Sequence, residues 1–160
     1  MPIDDLDRID RRILVEVQRD ARLTVAELAA RVSLSTSPCW RRVKRLERAG
    51  IIRGYHANLD SARLGLGVFA FVHVTLDRHD AALGTRFEDA VRAIPEIVAC
   101  HNVSGQYDYM LQVVARDLAS FGDHVRDTLR MLPGVKEMNS SFSLKEVKPA
   151  LTLPVDATRA

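Results

Sequence analysis

The segment 31–53 constrains this chain most, because it concentrates positive charge in a region that is also predicted to be helical. It holds seven basic residues and one acidic residue, Glu47, a net charge of +6 in 23 residues. The basic residues are Arg31, Arg41, Arg42, Lys44, Arg45, Arg48 and Arg53. Residues 1–58 as a whole carry 12 basic and 8 acidic residues, whereas residues 59–160 carry 11 and 13. This asymmetry favours a polyanionic partner for the N-terminal part, although many charge runs are simply solvated helix faces.

Two short amphipathic helices are predicted ahead of the basic part. Apolar residues at near-helical spacing predict a first helix from Asp7 to about Arg19. Thr24 and Glu27 form a capping-box pattern, in which the hydroxyl binds the amide three residues on and the carboxylate reaches back. We therefore expect a second helix over 25–32, followed by a tight turn at 33–35.

A third helix is predicted to carry the basic residues. It begins either at Ser35, which suits an N-cap, or at Ser37, because the following Pro38 suits the first helical position. It is expected to run to Ala49, since Gly50 is a helix stop signal.

The third helix has two chemically distinct sides when it is projected at about 100° per residue. The inward stripe consists of Cys39, Val43 and Leu46. The opposite side carries Ser37, Arg41, Lys44, Arg45 and Arg48, with Trp40 and Arg42 at its boundaries. The basic residues therefore form one face of the helix.

Three short helices with a tight turn before the third are typical of a helix-turn-helix domain. In that motif the last helix enters the major groove of DNA, where arginine binds guanine or phosphate and hydroxyls bind phosphate. We therefore predict that nine residues contact double-stranded DNA: Ser35, Thr36, Ser37, Trp40, Arg41, Arg42, Lys44, Arg45 and Arg48. Trp40 also fits a half-buried anchor of the helix, and Cys39 fits core packing.

The first domain is predicted to end soon after the third helix. Residues 51–57 alternate enough to predict a short strand, which would give the domain at 1–57 a winged-helix-like form. Residues 58–67 are rich in glycine and turn formers and are predicted to be a linker. A second domain is expected at 68–150, with a C-terminal tail at 151–160.

The second domain reads as alternating strands and helices in the order β-α-β-β-α-β. Strands are predicted at 68–76, 97–103, 107–115 and 135–147, with helices marked by apolar residues over 87–94 and 121–132. Residues 92–97 weakly repeat in 130–135, as expected for two similar halves. The predicted class is therefore α+β, with a ferredoxin-like four-stranded sheet whose helices cover one face.

The other face of this sheet is predicted to pack against a second copy. Strands 68–76 and 107–115 carry apolar residues on both faces, and soluble monomers avoid large uncovered apolar patches. A two-fold dimer would cover them and present two basic helices to a pseudo-palindromic DNA site.

Several motifs together resemble one known family. They are Leu6–Leu14, Leu34–Glu47, Gly50–Ile52, Val103–Tyr109, Leu132–Val135 and Glu146–Lys148. Over about residues 4–155 the chain resembles the Lrp/AsnC (feast/famine) family of bacterial transcription regulators. The resemblance implies an N-terminal DNA-binding domain, a C-terminal amino-acid-sensing domain, and dimers that assemble into octamers or other even multimers.

The resemblance also implies an amino-acid effector pocket between dimers, formed with the loop 104–108. The candidate residues are Ser104, Gly105, Gln106, Tyr107 and Asp108, with Ser140 and Ser141 expected nearby on the last strand. The chemistry is suitable, because a carboxylate can bind the ammonium of an amino acid and flexible backbone at Gly105 lets amides approach its carboxylate. Without the resemblance, Gly105 and Gln106 also fit a plain hairpin turn, and Asp108 a solubilising strand-edge residue.

Other classes of function have weaker support in the sequence. No nucleophile–base–acid set, phosphate-binding loop or metal-ligand cluster is evident, so we expect no enzymatic activity and no cofactor. A sensing module acting only through protein partners remains an alternative, but it leaves the basic face unexplained. The acidic start of the chain, the two cysteines and the lack of a long apolar run predict a cytoplasmic protein without a membrane span.

Overall fold

A computed structural model describes residues 6–77, 80–149 and 152–155. It divides the chain into two compact units, formed by the described parts of Met1–Asn58 with Lys148–Ala160 and of Leu59–Val147. Of the predicted tail at 151–160, only 152–155 belongs to the described residues, and the acidic start at 1–5 lies outside them. The two units are described separately below.

The first unit contains three helices, as predicted. They are α1 (Arg8–Arg19), α2 (Val25–Arg31) and α3 (Thr36–Arg48). The capping box at Thr24 and Glu27 is confirmed, and α1 begins with a second one in which Asp7 pairs with Asp10. In each box a side-chain oxygen satisfies an amide that the first helical turn leaves without a partner.

Ser33 forms the turn before α3, and Ser35 marks the start of the helix. Ser33 adopts a left-handed conformation (φ 59°), which lets the Leu34 amide bind the Ala29 carbonyl at 2.9 Å. Ser35 occupies the N-cap position, so Pro38 is the third helical residue and its missing amide proton costs no hydrogen bond. The helix ends before Gly50 (φ 70°), as its stop signal predicts.

The apolar stripe of α3 forms the centre of the first unit's core. Cys39 and Leu46 have no exposed surface, and Val43 packs against the same cluster. The other buried members come from α1, α2 and the residues beside them: Leu6, Ile13, Leu14, Leu28, Ala29 and Val32. The predicted orientation of α3 is therefore confirmed.

The strand predicted at 51–57 is wrong. These residues form bends and extended chain without a β-ladder, because a strand needs a partner and the described part of this unit contains no other strand. The amides of Ile51 and Ile52 instead both donate to the Leu46 carbonyl, at 3.0 and 3.2 Å. Their side chains pack on the helical core, so the apolar pair extends the core after α3.

A short C-terminal segment also belongs to the first unit. The Gln18 side chain of α1 binds the Leu153 backbone twice: Nε2 donates to the carbonyl at 3.2 Å, and Oε1 accepts from the amide at 2.6 Å. Val155 packs against the core of the three helices. The first unit is thus built from residues near both ends of the chain.

The second unit has the predicted ferredoxin-like α+β fold. Its elements are β1 (Val68–Leu76), α4 (Ala81–Arg92), β2 (Ile97–Asn102), β3 (Tyr109–Ala115), α5 (Leu118–Asp127) and β4 (Val135–Phe142). The strands form an antiparallel sheet in the order β2-β3-β1-β4. None of the described helices in the chain is long and apolar enough to cross a membrane.

Three elements of this unit are shorter than predicted. The strand predicted from 107 begins at Tyr109, because the hairpin closes where the Val103 amide binds the Asp108 carbonyl. The helix predicted through 132 leaves α geometry at Thr128 and continues as a short 3-10 turn. β4 ends at Phe142, since its partner β1 begins at Val68 and offers little backbone beyond that point.

The sheet has a core face and an opposite face. On β1, Ala70, Val72 and Val74 are fully buried in the core with Phe87 and other residues of the helices. The alternate residues point to the opposite face, whose apolar members we call the open-face patch: Phe69, Phe71, Met110 and Val114. The Phe69 and Phe71 rings meet edge to face, with centroids 5.4 Å apart.

Candidate functional sites

The outward side of α3 carries two arginines that form no ion pair with any described residue. Arg41 and Arg48 are exposed and have no ion-pair partner among the residues that the structure describes. Ser37 is exposed on the same side, one turn before Arg41. This side of the helix therefore offers cationic and hydroxyl donors to solvent.

Arg42 and Arg45, also predicted to contact DNA, are held by acidic residues of the first unit. Asp10 is fully buried, and its Oδ1 accepts a hydrogen bond from Arg42 Nη1 at 2.9 Å. Its Oδ2 accepts from Arg45 Nη2 and from the Asp7 amide. Arg42 also donates to Asp7 Oδ2 at 2.5 Å, so two acids hold two guanidinium groups.

The contacts of this network shift the pKa values of Asp7 and Arg42. Desolvation alone raises the pKa of Asp7, but hydrogen bonds from the Asp10 amide and from Arg42 outweigh it and lower that pKa below its usual value. The hydrogen bond to Asp7 raises the pKa of Arg42. Both groups are therefore charged over the whole physiological pH range.

A second network lies on the other flank of α3. Lys44 Nζ is 2.7 Å from Glu47 Oε2, and the Tyr55 hydroxyl donates to Glu47 Oε1 at 3.0 Å. Desolvation and the bond to Glu47 raise the pKa of Tyr55 to about 12. Trp40 is 48% exposed and lines a groove of about 200 Å³ with Tyr55, so about half of its surface is covered by the protein.

Hydroxyl groups surround the start of α3. Ser35, Thr36 and Ser37 are all exposed. The Ser35 side chain makes no capping hydrogen bond, so it leaves the first amides of the helix for another acceptor. A helix N-terminus with this arrangement favours an anionic group such as phosphate.

The loop at 104–108 forms the hairpin turn between β2 and β3. Ser104, Gly105 and Gln106 are exposed, and Gly105 has φ 114°, a conformation that favours glycine. Tyr107 stacks on His73 of the open face, with ring centroids 4.8 Å apart. The hairpin turn at Gly105 and Gln106 is therefore confirmed, and the effector-binding role of this loop stays a prediction.

Asp108 differs from the rest of this loop because it is half-buried and tied to the sheet. Its Oδ2 accepts a hydrogen bond from the Leu76 amide at 2.8 Å, and its own amide donates to the Val74 carbonyl. These two bonds fix the Asp108 carboxylate at the end of β1, where the chain leaves the sheet.

Two adjoining grooves lie within the second unit, and Asp108 lines one of them. One, of about 450 Å³, is lined by Leu76, Asp80, Ala81, Gly84, Thr85, Glu88, Asn102, Asp108 and Tyr109. The other, of about 390 Å³, is lined by Glu88, Val91, Arg92, Ile97, Ala99, Cys100, Asn102 and Tyr109. The Tyr109 hydroxyl donates to Glu88 at 3.0 Å where the two grooves share residues. Desolvation and this bond raise the pKa of Tyr109.

The expectation that Ser140 and Ser141 lie near this loop is wrong within one chain. In the sheet, Tyr109 is level with Val74, and Val74 is paired with Met138. Ser140 is two residues farther along β4, so it is about 7 Å along the strand and two strand spacings, about 10 Å, across the sheet from Tyr109. The sequence places the serines on the correct strand but does not reveal the strand register.

The two cysteines have ordinary structural surroundings. Burial raises the pKa of both thiols, which disfavours their reactive thiolate forms. Cys100 packs against the core of the second unit, and the adjacent His101 is exposed, as expected for neighbours on a strand. The described residues contain no group of three or more acidic, histidine or cysteine ligands suited to a metal ion.

Sequence reasoning missed the acidic partners in both units. Asp10 is separated from Arg42 and Arg45 by more than 30 residues, so no local spacing predicts their contact. Glu88 lies on α4, 21 residues before Tyr109. The only sequence signal is the acidic pair at positions 7 and 10, which indicates a helix start and gives no information on tertiary contacts.

Family comparisons cover both units. Residues 6–53 match a family model described as winged helix-turn-helix DNA-binding, and residues 69–153 match the model of the Lrp/AsnC ligand binding domain. Escherichia coli K12 leucine-responsive regulatory protein is 42% identical over 154 residues, which are 96% of this chain and 94% of that protein. The DNA-binding transcriptional activator DecR of the same strain is 36% identical over 151 residues, covering 94% and 99% of the two chains.

Solved structures of transcriptional regulators also resemble this chain over nearly its whole length. A transcriptional regulator from Neisseria meningitidis, crystallised as an L-Met complex, has a TM-score of 0.89 at 42% identity and covers 94% of this chain and 97% of its own. An AsnC family transcriptional regulator from Agrobacterium tumefaciens also has a TM-score of 0.89, at 35% identity, covering 96% and 100%.

Proposed function

Because the chain belongs to the Lrp/AsnC family of DNA-binding transcriptional regulators, we propose that the outward side of α3 is its DNA-contacting surface. The observation that carries this proposal is the segregation of α3. Its apolar stripe is buried, while Arg41, Arg48 and the hydroxyls at its start are exposed. A helix anchored in this way presents donors suited to guanine edges and phosphate oxygens.

The two free arginines are proposed to have different tasks. Arg41 lies in the second turn of α3, and residues near the start of a recognition helix contact base edges. Arg48 ends the helix and is proposed to contact phosphate, which contributes affinity without sequence information. The acid-bound Arg42 and Arg45 lie to one side of these two residues.

Alanine variants test this division of tasks. Arg41→Ala is expected to cost about 1–3 kcal/mol on a selected duplex and to relax its sequence preference. Arg48→Ala is expected to weaken binding to all sequences and to reduce the salt slope by about 0.9 for each copy of α3 that contacts the duplex. Arg86→Ala, on an exposed part of α4, is the matched control and should leave binding unchanged. Equal loss of sequence preference in Arg41→Ala and Arg48→Ala would refute the division.

We further propose that the grooves beside Asp108 bind the ammonium group of an amino acid or related metabolite. The fixed, half-buried carboxylate supports this proposal, as does the L-Met bound in the Neisseria relative. The effector would act by binding one domain or oligomer arrangement better than another, since only differential affinity can shift an equilibrium. The loop residues 104–107 and a second copy of the chain are proposed to complete the pocket.

A thermal-shift screen of the twenty amino acids, L-Met and L-Leu included, identifies the effector, because a ligand of the native state raises the melting temperature. Asp108→Ala should abolish the response and leave DNA binding intact. Asp108→Asn separates charge from structure, because its amide oxygen can still accept from Leu76. We expect this variant to keep the native melting temperature and lose the ligand shift. If calorimetry shows that Asp108→Ala binds the effector with unchanged affinity, the proposed position of the pocket is wrong.

The proposed active form is a dimer, or an even multimer of dimers, in the cytoplasm. The open-face patch would form the two-fold contact, and each dimer would present two copies of α3 to a pseudo-palindromic site. The apolar side chains on the face opposite the core support this assembly.

A further inference from the structure

A fully buried acid beside the proposed recognition helix is unusual and needs an explanation. Charged side chains are seldom completely buried unless they are paired, and Asp10 has no exposed side-chain surface. Each of its carboxylate oxygens accepts a hydrogen bond from an arginine of α3. Asp10 Oδ2 also accepts from the Asp7 amide in the capping box of α1, but that box uses only one of its oxygens. The two arginine bonds go beyond what the helix start needs, so the carboxylate also holds Arg42 and Arg45.

The arginines held by Asp10 remain within reach of a ligand. The Arg42 and Arg45 side chains are 28% and 48% exposed, and they lie three residues apart on one flank of α3. Asp7 contributes a second carboxylate to Arg42, so the network of two acids and two arginines is neutral overall. Arg41 and Arg48, with no described ion-pair partner, carry the uncompensated arginine charge of the helix.

We propose that Asp10 is a specificity-determining positioning residue, which restrains Arg42 and Arg45 and so limits sequence-independent binding to phosphates. The proposal rests on α3 being the DNA-contacting surface. Sequence-independent affinity depends on how many phosphates the protein neutralises, whereas sequence preference comes from contacts to base edges. Two arginines bound to an internal carboxylate neutralise phosphate less effectively than two mobile arginines. Asp10 therefore raises the preference for a specific site by reducing binding elsewhere.

Asp10→Asn in the full chain tests this proposal, because the amide matches the carboxylate in shape and lacks its charge. Binding is measured against NaCl concentration with two duplexes, one selected from a random library by the wild-type protein and one with the same bases shuffled. We expect the salt slope on the shuffled duplex to steepen by up to about 1.8 for each copy of α3 on the duplex, since each added phosphate contact contributes about 0.9. The affinity for this duplex should rise roughly tenfold at about 0.1 M salt if one further phosphate is neutralised.

A matched background shows whether the effect passes through the two arginines. In a protein carrying Arg42→Gln and Arg45→Gln, adding Asp10→Asn should leave the salt slope unchanged. A purely structural role for Asp10 predicts a different result, namely weaker binding to both duplexes and no steepening of the slope in either background.

Asp7→Asn provides a second variant if Asp10→Asn fails to fold by circular dichroism. Asparagine is also a good N-cap residue, and Asp7 is 51% exposed, so α1 should be preserved. Asp7 binds only Arg42, and Asp10 still holds both arginines in this variant, so the expected steepening is at most about 0.9 for each copy of α3 on the duplex. The Arg42→Gln, Arg45→Gln protein with Asp10 intact then supplies the contradicting result. If its slope on the shuffled duplex is shallower than that of the wild type by about 1.8 for each copy of α3, both arginines already neutralise phosphate and the proposal is overturned.

Arg41→Ala separates this proposal from the one on which it rests. If Arg41→Ala weakens binding to the selected duplex but folded Asp10→Asn shows an unchanged or shallower slope, the role of Asp10 is wrong and the DNA surface stands. If Arg41→Ala, Arg48→Ala and Asp10→Asn all leave both affinities unchanged, α3 is not the DNA surface and both proposals fail.

Discussion

Single residues in this chain are constrained by backbone conformation as well as by burial, and the glycines show the difference. Gly134 has φ 72°, and a Cβ built on it would lie 2.5 Å from Leu83 Cδ2. Gly122 lies inside α5, where a Cβ meets nothing within 4 Å. The same substitution therefore has opposite consequences at the two positions.

Gly134→Ala is expected to destabilise the second unit by about 1–3 kcal/mol, the usual cost of a side chain held in the left-handed region, with the contact to Leu83 adding to it. Gly122→Ala is the matched control and should stabilise the same unit by about 0.5–1 kcal/mol, because alanine is the better helix former. Urea unfolding of both variants measures the two changes. A destabilised Gly122→Ala or a neutral Gly134→Ala would contradict this reading of the glycines.

At the scale of elements, the segment after α3 is held by a side-chain hydrogen bond and by backbone bonds to the end of the helix, and not by a strand ladder. Tyr55 binds Glu47 of α3, while Ile51 and Ile52 attach to the end of the helix through Leu46. The phenol must remain protonated to donate to Glu47, so this attachment is lost at strongly alkaline pH.

We expect the contribution of Tyr55 to the stability of the first unit to be lost as pH rises. Its pKa is raised from 10.0 to about 12, so its stabilising contribution is complete below about pH 10 and disappears as pH rises through about 12. Tyr55→Phe should remove this part of the alkaline destabilisation and the corresponding phenolate absorbance step. If the variant and the wild type lose stability in parallel between these pH values, the Tyr55–Glu47 bond does not contribute as described.

The elements themselves were largely predictable from sequence, because periodicity and caps are local signals. The capping box at Thr24 and the stripe of Cys39, Val43 and Leu46 located the three N-terminal helices. The strand predicted at 51–57 was wrong because alternation does not reveal whether a partner strand exists. In the candidate sites, the exposed cations were predictable from helix geometry, whereas the Asp10 network and the position of Ser140 depend on long-range packing and strand register.

At the scale of the whole molecule, the face of the sheet opposite the core is the feature that bears on assembly. Phe69 and Phe71 are paired on β1, and Met110 and Val114 lie beside them on β3. Polar residues of β4, such as Asn139 and Ser141, follow on the same face. The apolar part is therefore a local patch, suited to contact with the same patch of a second copy.

Phe71→Asp is expected to dissociate the proposed dimer, because each two-fold contact would bury the new charge twice. Arg86→Asp, on an exposed part of α4, introduces the same side chain away from the patch and should leave assembly unchanged. Sedimentation velocity measures the subunit number of both variants, and circular dichroism checks their folding. A folded Phe71→Asp protein that sediments with the wild-type mass would place the contact elsewhere.

The attachment of Leu153 and Val155 to the helical unit has a practical consequence for dissecting this regulator. A fragment that stops at the first domain boundary would lack the Gln18 clamp on Leu153 and the packing of Val155, and so would expose core surface that the intact polypeptide covers. Deleting residues 152–155 would remove the same support. This short segment is thus a structural part of the unit that contains α3, although it lies about 100 residues after that helix in the sequence.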